Sequence, residues 1–537
     1  MLDSSNAQTA LPALTKSRNL APAWPAVLSA LMAFAVYAVT LHGSLVFDDL
    51  MVLSDPRYSH PSLWYLFWTK QYIPHALDNL YRPLTCMTLA IQFWIHGWTL
   101  WPYHLVNILL HAGAAAAVAE LARRLFGTRA AWIAGLLFAV HPIHVEVIAG
   151  VILRHESLCA IGLAGGAAIF LRPLTWKRIV AIVGLFLLSL LSKEQGVLFP
   201  VMLAALIPFR AQRLKSIPST SDNPLEDQTR LKLLMALLFL LLAAYLIYRE
   251  SILRFWWPRE LMEWRINPLV LSTGADRWLM PLVLLGRYMA LIVAPVHLSV
   301  DYGSYVIGWK VNYHQPYLYI GIATAIIAIA LLVRSFARRQ WALFYLLICF
   351  GMTYGMISNF ATLIGTIFGE RLFYLPSAFL LIIVGYWLAQ IPARRAATSL
   401  AILITVVLGI RAGAYAALWN HPGRLIEANL RQEPKSVTLY ELACNYYLRH
   451  RDFAAVRQTA RRAIAAMPHT PESYRNCIDY DLALGDLAEA RKTIALGMKA
   501  CPDGGIDQYF QQLQSAIENR QTTTRPAEFP GAPPDRP

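Results

Sequence analysis

The sequence predicts an all-α, polytopic membrane protein that ends in a helical repeat module, and three observations carry that prediction. Of 537 residues, 57% belong to the apolar set and only 15% are charged, too few to clothe a water-soluble surface over most of the chain. Stretches at 130–147, 232–247, 317–333, 341–357, 372–391 and 396–410 are nearly free of charge. At about 1.5 Å of rise per residue they cross or nearly cross a hydrocarbon core roughly 30 Å thick. After about residue 413 the composition turns to mixed polar and apolar sequence with helical periodicity, punctuated by prolines at 434, 468 and 502.

The first apolar stretch, about 25–42, follows a weakly basic start with Lys16 and Arg18 and lacks a small-residue cleavage site, so it reads as an uncleaved anchor. The formal charge of +15 sits largely in short clusters between apolar segments, which is a topology signal and argues against nucleic acid as a partner. The clusters are Arg123, Arg124 and Arg129; Arg172, Lys177 and Arg178; Arg334, Arg338 and Arg339; and Arg394 with Arg395. Placing them in the cytoplasm gives eleven spans, with the N-terminus inside and the C-terminus outside. In this count 277–295 is re-entrant or surface-lying, and the same question attaches to 84–100. The predicted organisation is a cytoplasmic segment 1–24, a membrane domain 25–413, an exported helical domain 414–520 and a proline-rich disordered tail 521–537.

Three short outside turns each carry a cation beside a glutamate: Arg154 near Glu156, Lys193 with Glu194, and Arg371 with Glu370. Any one of these is ordinarily a solvated ion pair of little worth. Recurrence in all three turns points to a shared polar site at the level of the lipid headgroups.

In the C-terminal part the prolines are spaced by 34 residues, and other positions repeat at the same offset: Tyr440 with Tyr474, Phe453 with Leu487 after Asp452 and Asp486, and Ala463 with Gly497. A helix-turn-helix pattern of that period is the tetratricopeptide signature. So short an array is expected to take support from a capping helix at 505–519 and from the membrane domain. Six cysteines show no metal-ligand spacing, and Cys444 with Cys477 are expected to be buried free thiols rather than a disulfide.

Directly after the first span, Asp48 and Asp49 stand together in LVFDDLMVL with an apolar flank on each side. The plain reading is a membrane-exit charge. The chemical reading is that one carboxylate takes the proton of an acceptor hydroxyl, a poor nucleophile until deprotonated, while the other orients it or binds a metal. A further outside cluster is His141, His144, Glu146, Arg154, His155 and Glu156. His141 and His144 at i, i+3 near Glu146 either hold a divalent metal or make structural hydrogen bonds, and Pro142 between them breaks the regular helix and favours the second. No HExxH is present, so zincin chemistry is not indicated.

The order FDD, YRPLT, YHLVNILLH, LLFAVHPIHVE, LLSKEQGVLFP, LSVDYG and GERLFYLPS, followed by tetratricopeptide-type repeats, resembles the transmembrane and tetratricopeptide-repeat O-mannosyltransferase family, within the membrane glycosyltransferases of the GT-C fold. The resemblance runs from about 44 to 503. It implies a polyprenyl-phosphate sugar donor, an acceptor on the outer face and inversion at the anomeric carbon, with no certain cofactor and a divalent metal left open. On the matching motif positions it implies Asp49 as the base beside Asp48, and Arg82, Lys193 and Arg371, with Arg154, around the donor phosphate. Glu194, Glu370, His141, His144 and Glu146 would form the polar shell.

The turn that usually reads like SGR followed by an acidic residue is here ILRHE, and the repeat array is shorter than in the animal proteins, so protein, lipid and glycan acceptors all stay open. A bacterial inner membrane with the repeats in the periplasm is the expected location. The competing reading is an inactive membrane anchor for a protein-binding repeat scaffold. Retention of Asp48, Asp49, Arg82, Lys193 and Arg371 next to lipid argues for the enzyme, because such charges are costly there. A transporter would place its ionisable groups nearer mid-membrane.

Overall fold

The computed structural model describes residues 23–53, 56–59, 63–67, 80–215, 224–253 and 267–501, together with 511 and 515. The expected N-terminal segment 1–24 (save 23 and 24), the capping helix 505–519 (save 511 and 515) and the tail 521–537 lie outside the described residues. Every regular element among the described residues is an α-helix or a 3-10 turn, and the chain is an all-α polytopic membrane protein.

Among the described residues, seven helices are long and apolar enough to cross a membrane: Trp24–His42, Trp101–Phe126, Glu194–Lys215, Leu225–Leu253, Pro316–Ala337, Glu370–Gln390 and Arg394–Leu418. Helices Thr128–Val140 and Pro142–Ala149, bent by 50° at His141, make an eighth if they are one broken span. The eleven spans expected from charge alternation require His155–Phe170, Trp176–Leu190 and Trp341–Gly355 to cross as well. These have 16, 15 and 15 residues, reaching about 22–24 Å by helical rise. Helix Gly274–Val293 carries Asp276, Arg277 and Arg287 and is not among the seven. Near its start Arg277 donates to the Asn359 carbonyl at 2.8 Å, and just past its end Ser299 N donates to Glu370 at 2.7 Å. Both ends therefore meet the segment that leads into helix Glu370–Gln390, while its middle packs on helix Pro316–Ala337, Gly286 against Tyr317 and Gly321 against Leu282.

Small residues let the membrane helices approach closely, as packing in lipid requires when no hydrophobic force separates helix from tail. Helix Trp101–Phe126 presents the run Ala114–Ala119 to its neighbours, and Gly135 of the following helix lies against Ala119 and Ser29, so that a Cβ there would collide with both. The cost of an unfilled polar group in lipid explains the bend. Pro142 removes a backbone donor, the helix breaks, and the His141 ring caps the short turn by accepting from Ile143 N at 3.2 Å. The chain then turns so that Glu146 and Gly150 arrive at one cavity.

After the last long helix comes Pro422–Gln432, an amphipathic helix that the sequence reading did not separate, and then two helix pairs. Val437–Arg449 with Phe453–Ala466 and Pro471–Ala483 with Leu487–Ala500 are offset by the same 34 residues. The repeated aspartates act alike: Asp452 caps its helix by accepting from Ala455 N at 3.0 Å, and Asp486 from Glu489 N at 3.2 Å. Phe47, Val300 and Tyr305 pack into the apolar cluster of Ile426, Leu430, Leu439, Tyr440 and Met467, so the first pair rests directly on the membrane part. Asp301 accepts from Ser436 at 2.5 Å and Glu472 from Tyr305 at 2.6 Å, pinning both pairs. Cys444 and Cys477 are buried and unbonded.

The topology is open to direct measurement. Reporters fused after residues 128 and 337 are expected to read as cytoplasmic, and those after 195 and 430 as exported. A cytoplasmic reading at 430 would overturn the count, with Gly274–Val293 crossing as a full span being the change that repairs it.

Candidate functional site

The acidic pair owes its position to a forced turn. Phe47 has φ 53°, a left-handed conformation that a bulky residue adopts only when its surroundings impose it, and its ring packs edge-on to Trp419 with centroids 6.1 Å apart. Helix Asp48–Leu53 starts from that turn with both carboxylates in its first turn. Asp49 is 2% exposed. Its Oδ1 accepts from Ile152 N at 3.0 Å and its Oδ2 from Val46 N at 3.5 Å. Burial pushes its carboxyl up to about 7, against the lowering effect of those backbone donors, and the neighbouring Asp48 adds a small push in the same direction. Asp48 is half-buried and takes no hydrogen bond among the described residues.

Both aspartates line a cavity of about 330 Å³. Its polar lining also includes Glu146, Asp301, Arg371, Asn445 and Arg449, with Phe47, Ile152, Val300, Trp419 and Leu442 among the apolar walls. Arg371 is fixed there by Glu146, which accepts its main-chain N–H at 2.9 Å and pairs with its guanidinium. Glu370 turns the other way. Fully buried, it accepts from Ser299 N and from the Tyr302 hydroxyl, both at 2.7 Å, and so holds the turn that carries Asp301 into the cavity. Asp301 is itself raised by burial, against hydrogen bonds from Ser436 and Gly303 N.

The pairs expected from adjacency in sequence do not form. Lys193 pairs with Glu156 instead of Glu194, and Glu194 takes Arg82 through three hydrogen bonds of 3.0, 3.3 and 2.8 Å. Arg371 pairs with Glu146 instead of Glu370. Adjacent side chains in a tight turn point apart, so each charge finds its partner on another segment. The exchange draws the turns together: Arg82 also reaches His155 Nε2 at 3.1 Å, and Asp48 and Glu156 both lie near enough Arg371 to act on its charge.

Arg82 and Lys193, expected around a phosphate, lie outside the cavity lining, and so does Arg154. Arg154 is 1% exposed and meets the Gln92 side chain at 2.5 Å and the Tyr103 carbonyl at 3.4 Å. His141 and His144 do not converge as ligands either. His141 Nε2 faces the Ile292 carbonyl at 3.1 Å, and His144 faces the Phe138 carbonyl at 2.9 Å and Ser377 at 2.8 Å. No group of three or more His, Cys, Asp or Glu side chains disposed to hold a metal occurs among the described residues, and this pair with Glu146 does not fit one.

Asp301, Trp419, Asn445 and Arg449 were not singled out from sequence. Asp301 lies inside the LSVDYG motif, where its position after an uncertain helix gave a usable signal. The repeat residues gave none, since nothing in a repeat pattern tells which helix end will cover a membrane site.

Residues 82–220 match the family model described as dolichyl-phosphate-mannose-protein mannosyltransferase. The chain is 33% identical over 175 residues to protein O-mannosyl-transferase TMTC4 of Homo sapiens, an alignment covering 28% of this chain and 24% of that protein. It is 32% identical over 175 residues to TMTC3 of Mus musculus, covering 30% and 19%, and 31% identical over 159 residues to TMTC1 of Homo sapiens, covering 28% and 18%. The chain thus spans about a quarter or less of the length of the relatives it matches.

The exchanged pairs predict a stability pattern. Lys193→Ala leaves Glu156 buried without its cation and is expected to cost about 3–5 kcal/mol. Adding Glu156→Gln is expected to return most of that loss, read as the unfolding midpoint of the purified protein in nanodiscs. Additive losses would show that the pair is not coupled.

Proposed function

We propose that this chain, a relative of the transmembrane and tetratricopeptide-repeat O-mannosyltransferases, is a membrane glycosyltransferase that moves mannose from a polyprenyl phosphate to a hydroxyl of a protein acceptor at the repeat-bearing face. The observation that carries the reading is the chamber in which Asp48, Asp49, Asp301, Glu146 and Arg371 meet beneath the repeat. Matches to O-mannosyltransferases over the adjoining residues 82–220 support the same chemistry.

In this reading the acceptor hydroxyl lies against Asp49, which takes its proton as the oxygen attacks the anomeric carbon. The new C–O bond forms on the face opposite the phosphate, the old sugar–phosphate C–O bond breaks with its electrons passing to the phosphate, and the configuration inverts. A carboxyl raised to about 7 is a far stronger base than one in the ordinary range, while remaining ionised in a large fraction of molecules at neutral pH. Asp48, half-buried beside it, is the group free to orient the hydroxyl. The Arg371–Glu146 pair holds a guanidinium, already matched by a carboxylate, at the chamber wall and so keeps that wall in one shape. No metal-bound step is required by this set.

Because the ionised form of Asp49 is the active one, transfer is expected to rise with pH through about 7 and then level. Asp49→Asn keeps the shape without the basicity. It is expected to lower turnover by about 10² to 10⁴ and to abolish the inflection. The assay compares transfer from polyprenyl-phosphate mannose at equal levels of folded protein. Normal transfer by Asp49→Asn with a dead Asp48→Asn would exchange the two roles, and normal transfer by both would sink the acidic-pair mechanism.

A further inference from the structure

We propose that Arg449, at the end of the first repeat helix, binds the phosphate of the donor, so that the repeat supplies the anion site of the chamber. This rests on the reading of the chamber as a site of sugar transfer.

Most of the cations near the chamber are already held by other groups. Arg371 is held by Glu146 through both its main-chain N–H and its guanidinium. Arg82 gives three hydrogen bonds to Glu194, Lys193 pairs with Glu156, and Arg154 is buried against Gln92. Arg449 is different. It lines the same cavity, is exposed, and has no ion pair or hydrogen bond among the described residues, although it shares that cavity with Asp48, Asp49 and Asp301. Among the described residues, its guanidinium is therefore the uncommitted cation of the chamber.

A second donor in the cavity lining lacks an acceptor. Trp419 lines the cavity from the membrane side at 3% exposure, and its indole Nε1 is buried with no hydrogen-bond partner among the described residues. Buried donors in native structures are nearly always satisfied, and one left open beside a cavity is most simply explained by a ligand that is not there.

Charge places the anion on the repeat wall. The membrane wall carries Asp48, Asp49, Glu146 and Asp301 against a single guanidinium, Arg371, so a phosphate pressed against that wall meets net repulsion. Docked on Arg449, it leaves the space beside Asp49 to the neutral hydroxyl. The balance of the step gives the cation its task. When the sugar–phosphate bond breaks, its electron pair passes to a phosphate oxygen, and the diester's single negative charge becomes the greater charge of a monoester. A guanidinium not already neutralised by a carboxylate meets that charge with a full, bidentate-capable positive group.

The test uses the full-length protein in nanodiscs with polyprenyl-phosphate mannose as donor and a Ser/Thr-containing peptide as acceptor. Arg449→Ala is expected to raise the donor KM by about tenfold or more and leave the acceptor KM unchanged, with Arg449→Lys restoring part of the loss. Arg457→Ala, an exposed arginine of the next helix that pairs with Asp486, serves as the control and is expected to behave as wild type. Direct binding of a short-chain polyprenyl phosphate, which needs no turnover, separates the inference from its parent. Wild type that binds this lipid about tenfold more tightly than Arg449→Ala but transfers no mannose keeps the phosphate site and removes the reaction. Equal binding by the two, or a raised acceptor KM with an unchanged donor KM, overturns the assignment to Arg449.

Discussion

A charge at the edge of the hydrocarbon is stable only when another part of the protein neutralises it, and that constraint organises this molecule. Three buried or half-buried pairs, Arg371–Glu146, Lys193–Glu156 and Arg82–Glu194, each join segments far apart in sequence. None is a strong stabiliser by itself, because desolvation consumes much of the attraction. Their effect is on arrangement. Breaking any one leaves an unpaired charge in a poorly solvated place, so the turns that carry them are held in one relative position, and the Arg371–Glu146 pair among them fixes part of the cavity wall.

The same constraint explains how far the sequence could be read. Apolar stretches announced the membrane helices, and the 34-residue offset announced two helix pairs whose bounds repeat to the residue. Asp48, Asp49, Glu146 and Arg371 were all picked out as chemistry, and they do converge. What could not be read was partner choice. Glutamates next to Arg371 and Lys193 in sequence looked like their partners, yet adjacent residues on a tight turn diverge, and only the packing of helices decides which distant carboxylate each cation meets. Arg154 looked like its neighbours in type and place, but the 3-10 turn Val151–Arg154 swings it inward to Gln92.

His141 and His144 show a related limit. At a broken helix, two histidines and a glutamate near one another admit a metal, although Pro142 between them favours structural hydrogen bonds. The structure gives them separate tasks, His141 capping the turn after the break and His144 seated among Phe138, Tyr374 and Ser377, where the backbone and hydroxyl groups satisfy it. Both therefore serve the bend that delivers Glu146. The cost of exposing an unsatisfied carbonyl in lipid explains their position without any metal.

The repeat is where the membrane logic reaches water. Phe47, whose strained backbone aims the acidic pair, is also a packing partner of the repeat's first apolar cluster, and Asp301, held from below through the turn that Glu370 secures, is tied from above by Ser436. The acidic wall and the repeat wall thus share their supports. A repeat that served only as a remote docking arm would need no such contacts, and a short array would lack the burial to stand rigidly by itself. Resting it on Phe47, Val300 and Tyr305 supplies that burial, and it brings Thr438, Leu442, Asn445 and Arg449 of the repeat to the cavity that Asp49 lines. The packing that steadies the short array is thus also the packing that completes the chamber wall.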